Sequence, residues 1–249
     1  MKREETIRQF YEKYHSANTV IPIDEFKQSE RCNYLRFLLK NVQGKVLIIG
    51  CGSKDDMSII NDKCKGVGID ISAEAIKKSK KKYPRFKYFV ADATNLPFPT
   101  SSFDCVVCSE VIEHVPEEEK VLLEAKRVLK NGGVFIITTP NWLSWYGLAR
   151  KIAEKLLKRP FTAADQPIDN WSTPFSLRNK LLMYGYQIIL FSGHWYYPPT
   201  GKGNKQISSQ IVFPMVKLLY PLETLFRKLF PWFGHWILFK TYLEKSNQK

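Results

Sequence analysis

Lys45-Val46-Leu47-Ile48-Ile49-Gly50-Cys51-Gly52-Ser53 is a short aliphatic run that stops at two glycines. Its apolar residues follow one another without polar alternation, the pattern of a strand covered on both faces in a parallel sheet. Gly50 and Gly52 mark a sharp turn, where a residue without Cβ takes positive φ freely and lets another molecule approach the backbone. Lys54-Asp55-Asp56 ahead of Met57-Ser58-Ile59-Ile60 is expected to open a helix whose free N–H groups face the same space.

Three further runs repeat the pattern. Gly66-Val67-Gly68-Ile69-Asp70-Ile71 is a second apolar strand ending in a carboxylate, and Asp70 follows Gly50 by twenty residues. An acid at that distance, at the tip of the neighbouring strand, is where a nucleotide-binding βαβ unit holds a ribose diol. Phe86-Lys87-Tyr88-Phe89-Val90 runs into Ala91-Asp92-Ala93, and Phe103-Asp104-Cys105-Val106-Val107-Cys108 runs into Ser109-Glu110. Four strand ends therefore present polar groups to one crevice, the place where open α/β sheets bind ligands.

Around this core the spacing predicts helices over 2–16, with Ile7, Phe10, Tyr11 and Tyr14 on one stripe, and over 25–40, with Cys32, Leu35, Leu38 and Leu39 inward. Pro116 and Glu117-Glu118-Glu119 suit a helix start, Leu122, Ala125, Val128 and Leu129 form its inner stripe, and Asn131-Gly132-Gly133 is expected to end it. Val134 to Ile137 is then a fifth strand ending at Thr138-Thr139-Pro140-Asn141 beside the crevice. Later, 148–157 reads as a basic helix, followed by a loop with Asp165, Asp169 and Trp171; 176–184 reads as a helix and 186–191 as a strand.

The chain has 249 residues, 44% of them hydrophobic, enough for one substantial core. Its charged start lacks the apolar segment of a signal peptide, and no run approaches 18 apolar residues, so a cytoplasmic chain that does not span a membrane is expected. Five cysteines cannot all pair, and Cys105 and Cys108, three apart in a strand, point to opposite faces, which argues for buried thiols rather than zinc. The net charge of +14 invites a nucleic-acid reading. Much of it, however, sits in Lys77-Lys78-Ser79-Lys80-Lys81-Lys82, the solvent face and basic end of the helix after the second strand.

Read in order, IIGCGS, GIDIS, ADATNLPF, FDCVVCSEVIEHV and LKNGGVFIITTPN resemble the class I S-adenosylmethionine-dependent methyltransferases, most of all the ubiquinone-type O-methyltransferase branch. The resemblance covers 27–141 by motif. It implies an α/β, Rossmann-like sheet of seven mostly parallel strands with helices on both faces. The last strand, 236–242, is antiparallel and follows a helical insertion. One domain results: N-terminal helices (1–43), cofactor core (44–141), substrate-side insertions with strand six (142–235), and the last strand and tail (236–249). The resemblance further implies S-adenosyl-L-methionine as cofactor and S-adenosyl-L-homocysteine as product. The cofactor would meet Gly50 and Gly52 with its methionine part, Asp70 with its ribose and Asp92 with its adenine, and Cys51, Ile71, Ala93 and Ser109 would also line its site. Arg31 matches a family arginine that reaches the cofactor carboxylate. The chain departs from the family at Ile48, where an acid is usual, and at Lys54, where a glycine is common.

A methyl group on sulfonium is already activated, so the protein has to align a nucleophile and, for a hydroxyl, help remove its proton. His114 is the candidate base, with Glu110 and Glu113 assisting; relatives associate the matching triplet with a divalent metal, but no metal site is assigned here. Phe213 to Gly234 reads as two proline-started helices and a proline stop, with Val212, Met215, Val216, Leu219, Leu222, Phe226, Leu229 and Phe230 in one stripe. Aromatics interleaved with Lys217, Arg227 and Lys228 suit a membrane surface, giving an expectation of peripheral contact through 206–235 at the inner face of the membrane. Three functions stay open: methyl transfer to a hydroxyl of an apolar, prenylated or lipid-linked small molecule; RNA methylation using the basic aromatic C-terminal region; and cofactor binding without transfer.

Overall fold

A computed structural model describes residues 2–16, 22–53, 55–158, 166–196 and 213–244; Lys54, Asp165 and Val212 lie outside the described residues. The elements follow the sequence in the order α1 (Lys2–Ser16), α2 (Pro22–Leu39), β1 (Gly44–Ile49), β2 (Cys64–Asp70), α3 (Ala73–Lys82), β3 (Lys87–Val90), β4 (Phe103–Ser109), α4 (Glu118–Val128), β5 (Leu129–Pro140), α5 (Trp145–Leu157), α6 (Pro174–Met183), β6 (Tyr186–His194), α7 (Phe213–Leu219), α8 (Glu223–Leu229) and β7 (Trp236–Leu243). The seven strands form one sheet in the order β3-β2-β1-β4-β5-β7-β6. All pairings are parallel except those of β7, which is antiparallel to both neighbours.

The unbroken aliphatic runs of β1, β4 and β5 follow from burial on both faces. Leu47, Ile49, Val106, Cys108, Phe135 and Ile137 pack with α4 and α6 on one side. Val46, Ile48, Cys105, Val107 and Ile136 pack with α2 on the other. Each such side chain contributes about 1.5–3 kcal/mol by leaving water. Cys105 and Cys108 thus fall in different cores, as the strand period requires, and all five cysteines are free. Ile48 is 1% exposed in the middle of its core, where a carboxylate would carry a desolvation cost.

Two expectations are corrected. The segment after the glycine turn makes only a 3-10 turn, Asp56–Ile59, instead of a helix opening at 54. The reason is tertiary: α2 already covers this face of the sheet, and Met57, Ile59 and Ile60 wedge beneath it as single anchors. Asn131-Gly132-Gly133 does not stop α4 either. The helix ends at Val128, and residues 130–133 form an irregularity within β5, where the pairing jumps from Phe103↔Leu129 to Cys105↔Val134 and Gly132 takes φ +71°. Between β6 and β7 the two proline-started helices form as expected, and the proline stop is itself a 3-10 turn, Pro231–Phe233. Among the described residues no helix is long and apolar enough to cross a membrane.

Candidate active site

The carboxyl ends of β1, β2 and β4 and the loop after β3 surround a cleft of about 280 Å³. Gly50 and Gly52 form its floor at φ +67° and +58°. At Gly50 a Cβ would come within 2.2 Å of Val111 Cγ2, so the turn needs glycine on two counts. Gly50→Ala is expected to destabilise the fold by about 1–3 kcal/mol, read as a lowered melting temperature.

Asp70 sits at the rim, buried. The Gly52 and Ser72 N–H groups donate to its two oxygens, each at 2.9 Å. A carboxylate oxygen has two lone pairs, so each still has one to offer a ligand hydroxyl. Asp92, whose Oδ1 accepts from the Thr94 N–H at 2.7 Å, lines the same cleft together with Ile71, Ala93, Ser109 and Arg31. Arg31 donates from Nη2 to Asp56 Oδ1 at 2.8 Å and to Gln28 Oε1 at 2.7 Å, while its buried Nε has no protein partner.

Two expected site residues lie elsewhere. Cys51 is fully buried and turns its sulfur to the backbone of Gly68 in β2, because alternate residues after β1 point away from the cleft. Burial pushes its thiol well above the ordinary range. Glu113 does not line the cleft; it is 1% exposed behind it, accepting from Thr139 Oγ1 at 3.2 Å. Burial first, and then neighbouring Glu110, raise its carboxyl well above the usual range. Glu110 does line the cleft, at φ +56°, and accepts from Thr138 Oγ1 at 2.8 Å.

His114 lines the cleft with one nitrogen committed. Its Nδ1 lies 3.1 Å from the Ile168 carbonyl. A carbonyl only accepts, so Nδ1 carries the proton and Nε2 is left with a lone pair. Nε2 stands 3.6 Å from Glu113 Oε1. Burial lowers the imidazole's pKa, which keeps it neutral and able to take a proton. The strap 166–172 that supplies Ile168 is fixed by Asp169. Its carboxylate accepts from Arg150 Nη1 at 2.7 Å and Trp171 Nε1 at 2.6 Å, and the Arg150 guanidinium lies over the rings of Trp142 and Trp171.

The sequence reading missed the roof. Tyr11, Tyr14 and His15 of α1 line the cleft, and the Tyr11 hydroxyl is buried without a protein partner. α1 is held down by Glu12, which accepts from the N–H groups of Ala73 and Glu74 at the start of α3, at 2.6 and 3.0 Å. His15 Nδ1 lies 2.9 Å from Ser53 Oγ, and Lys78 donates to the His15 carbonyl. Asp56, expected to open a helix, also points into the cleft. Among the described residues no three His, Cys, Asp or Glu side chains converge to hold a metal ion.

Comparison with known proteins relates the sequence and the fold to methyltransferases. Residues 47–137 match the family model of a methyltransferase domain. A protein of Mycolicibacterium smegmatis named "Probable S-adenosylmethionine-dependent methyltransferase" is 35% identical over 101 residues, 40% of this chain and 39% of that one. The ubiquinone/menaquinone biosynthesis C-methyltransferase UbiE of Campylobacter jejuni is 28% identical over 155 residues, 55% of this chain and 64% of its own. The chain thus spans well under half of the first relative and under two thirds of the second. Among solved structures, a chain from the complex of the Haloferax volcanii Trm112 methyltransferase activator with a methyltransferase superposes with a TM-score of 0.63 at 17% identity, covering 98% of this chain and 100% of that one. A methyltransferase-type structure from Bacillus halodurans gives 0.59 at 14%, covering 86% and 99%. The fold is the one that these solved structures share, and the cleft lies at its strand ends. In sequence, the likeness to a methyltransferase domain covers residues 47–137.

Proposed function

We propose that the chain binds S-adenosylmethionine in this cleft and transfers its methyl group to an apolar, prenylated or lipid-linked small molecule, with His114 as the base that activates a hydroxyl. The observation that supports the reading is the His114 imidazole, which lines the cleft, is fixed through Nδ1 on the Ile168 carbonyl and is kept neutral by burial, so that Nε2 retains a lone pair. The unpaired Nε of Arg31 and the carboxylate of Asp56 beside it are complementary to the carboxylate and ammonium of an amino-acid end, with Asp56 standing in for the acid absent at Ile48. Asp70, which lines the cleft, would hold the ribose diol, and Asp92 would meet the adenine. Bound there, S-adenosylmethionine supplies an electrophilic methyl. The chain orients it, covers it with α1, and removes the acceptor's proton to Nε2.

The C. jejuni relative is by name a C-methyltransferase of quinone biosynthesis. A base at His114 serves either outcome, because the anion of a ring hydroxyl is nucleophilic at oxygen and at its ortho carbon. We favour oxygen, the atom that bears the charge when His114 takes the proton. Peripheral contact through α7 and α8 would bring such an acceptor to the domain: Leu219, Leu222, Phe226, Leu229 and Phe230 of the expected stripe are exposed, whereas Val216 is buried in the core.

The test is incubation of a lipid extract with the protein and isotopically labelled S-adenosylmethionine, followed by mass spectrometry of the products. Label in an apolar metabolite, absent with His114→Ala, is expected; label in RNA alone would overturn the acceptor assignment. Calorimetry is expected to detect S-adenosylmethionine binding by the unmodified protein, and no heat of binding would overturn the cofactor assignment.

A further inference from the structure

α5 is built inside out. Trp145, Leu148, Ile152 and Leu156 are exposed, the last two at 61% and 77%, while the charged residue Arg150 is 4% exposed. At 3.6 residues per turn, Leu148, Ile152 and Leu156 fall within about 80° of one another, on the side opposite Arg150. A surface helix of a globular domain normally turns such a stripe inward. The inversion has a cause, since Arg150 is needed inside to hold Asp169 and the strap over His114. The helix's one acid, Glu154, is drawn to Arg150 Nε at 2.9 Å, and Lys151, Lys155 and Lys158 stay exposed beside the apolar stripe.

This stripe does not stand alone. Trp145 Nε1 donates to the Tyr196 carbonyl at 3.2 Å, the Tyr196 hydroxyl donates to the Phe230 carbonyl at 3.1 Å, and the Tyr196 ring stacks on Phe226 at 5.8 Å. The start of α5 is thereby joined to the exposed side chains of α8, where Leu225 and Leu229 are 52% and 58% exposed and Lys228 supplies further positive charge. Apolar side chains beside lysines complement one environment, an anionic lipid surface with acyl chains below the headgroups.

We infer that α5 and α8 form one lipid-facing surface that seats the domain on an anionic bilayer. The inference rests on the apolar-acceptor reading and deepens it: α5 is the arm that also carries Arg150, so the surface lies one strap away from the base.

Sedimentation with vesicles of phosphatidylcholine and phosphatidylglycerol, against phosphatidylcholine alone, tests this at low and high salt. Binding to the anionic vesicles, weakened by salt, is expected. Ile152→Ser with Leu156→Ser should lower the partition by about tenfold or more, and Lys151→Gln or Lys155→Gln by about fivefold each. These side chains are exposed, so an unchanged melting temperature and unchanged S-adenosylmethionine calorimetry verify the fold. If the double serine variant sediments like the unmodified protein while Phe226→Ser with Phe230→Ser is lost, α5 is not part of the surface and the inference fails, although the acceptor reading stands. No sedimentation of the unmodified protein overturns the inference, and the labelled-extract experiment then decides the acceptor reading separately. Self-association without vesicles, relieved by the serine variants, would assign the surface to a second copy and overturn it as well.

Discussion

At saturating cofactor and acceptor, His114→Ala is expected to lower turnover by about 10²–10⁴-fold, the range of a positioned general base, with cofactor affinity nearly unchanged. The two quantities separate because Asp70 and Asp92 reach the cleft from other strands. The pH profile adds a second readout. Burial depresses the imidazole's pKa, so its base form persists through neutrality. Turnover should stay level there and fall only below the ordinary histidine range of about 6.5. The histidine's contribution to stability has the corresponding sign: with its folded pKa depressed, that contribution is present above the unfolded value and is lost as pH falls through the folded one. Removing the base should abolish the acid limb of turnover. Asp169→Asn should reproduce part of the loss and shift the limb, because it frees the strap whose Ile168 carbonyl holds Nδ1. A variant that turns over normally and only melts lower would make His114 a packing residue.

What the sequence made legible, and what it hid, divides along the range of the interactions. The strands of the core were readable because burial on both faces leaves an unbroken aliphatic run, and the turn at Gly50 because only glycine fits beneath Val111. Cleft residue Asp70 was readable because it ends such a run, and Asp92 because it follows the short, more exposed strand β3. The 3-10 turn at Asp56 was not, since what forbids a helix there is α2, some twenty residues earlier in sequence. Tyr11 and Tyr14 looked like part of a packing stripe, and a helical period does not tell whether a stripe meets a core or a ligand space. The Glu12 cap on α3 spans sixty-one residues to Ala73 and has no local signature. Ile168 contributes only a carbonyl, which every residue has. Arg150 was read as part of a basic helix; its burial follows from Asp169 and two tryptophans that the fold brings to it. The exposed face of α5 was unreadable for the same reason, because the residue that reverses the helix is recognisable only once its partner is in place.

Asp70 should reveal itself by two pH trends of opposite sense. Burial pushes its carboxyl up to about 6, against the two backbone N–H donors that favour the charged form. A ribose hydroxyl donates, and it donates more strongly to a carboxylate than to a neutral acid. Affinity for S-adenosylmethionine is therefore expected to be full above about pH 6 and to weaken by at most about tenfold per unit as pH falls through it. The unliganded fold responds the other way. A folded pKa above the unfolded value means that the contribution of the neutral acid is fully present below about pH 4 and is lost as pH rises through about 6, up to about 3 kcal/mol in all. Asp70→Ala should weaken cofactor binding by about 1–3 kcal/mol at pH 8, because charge-assisted hydrogen bonds are lost. It should also flatten both trends, whatever it does to the melting temperature itself, since Gly52 and Ser72 lose their acceptor. Calorimetry from about one unit below to about two units above the titration at about 6, with melting curves over the same interval, separates the two. Affinity in Asp70→Ala that still weakens below pH 6 would assign the titration to another group and leave Asp70 as a support of the glycine turn alone.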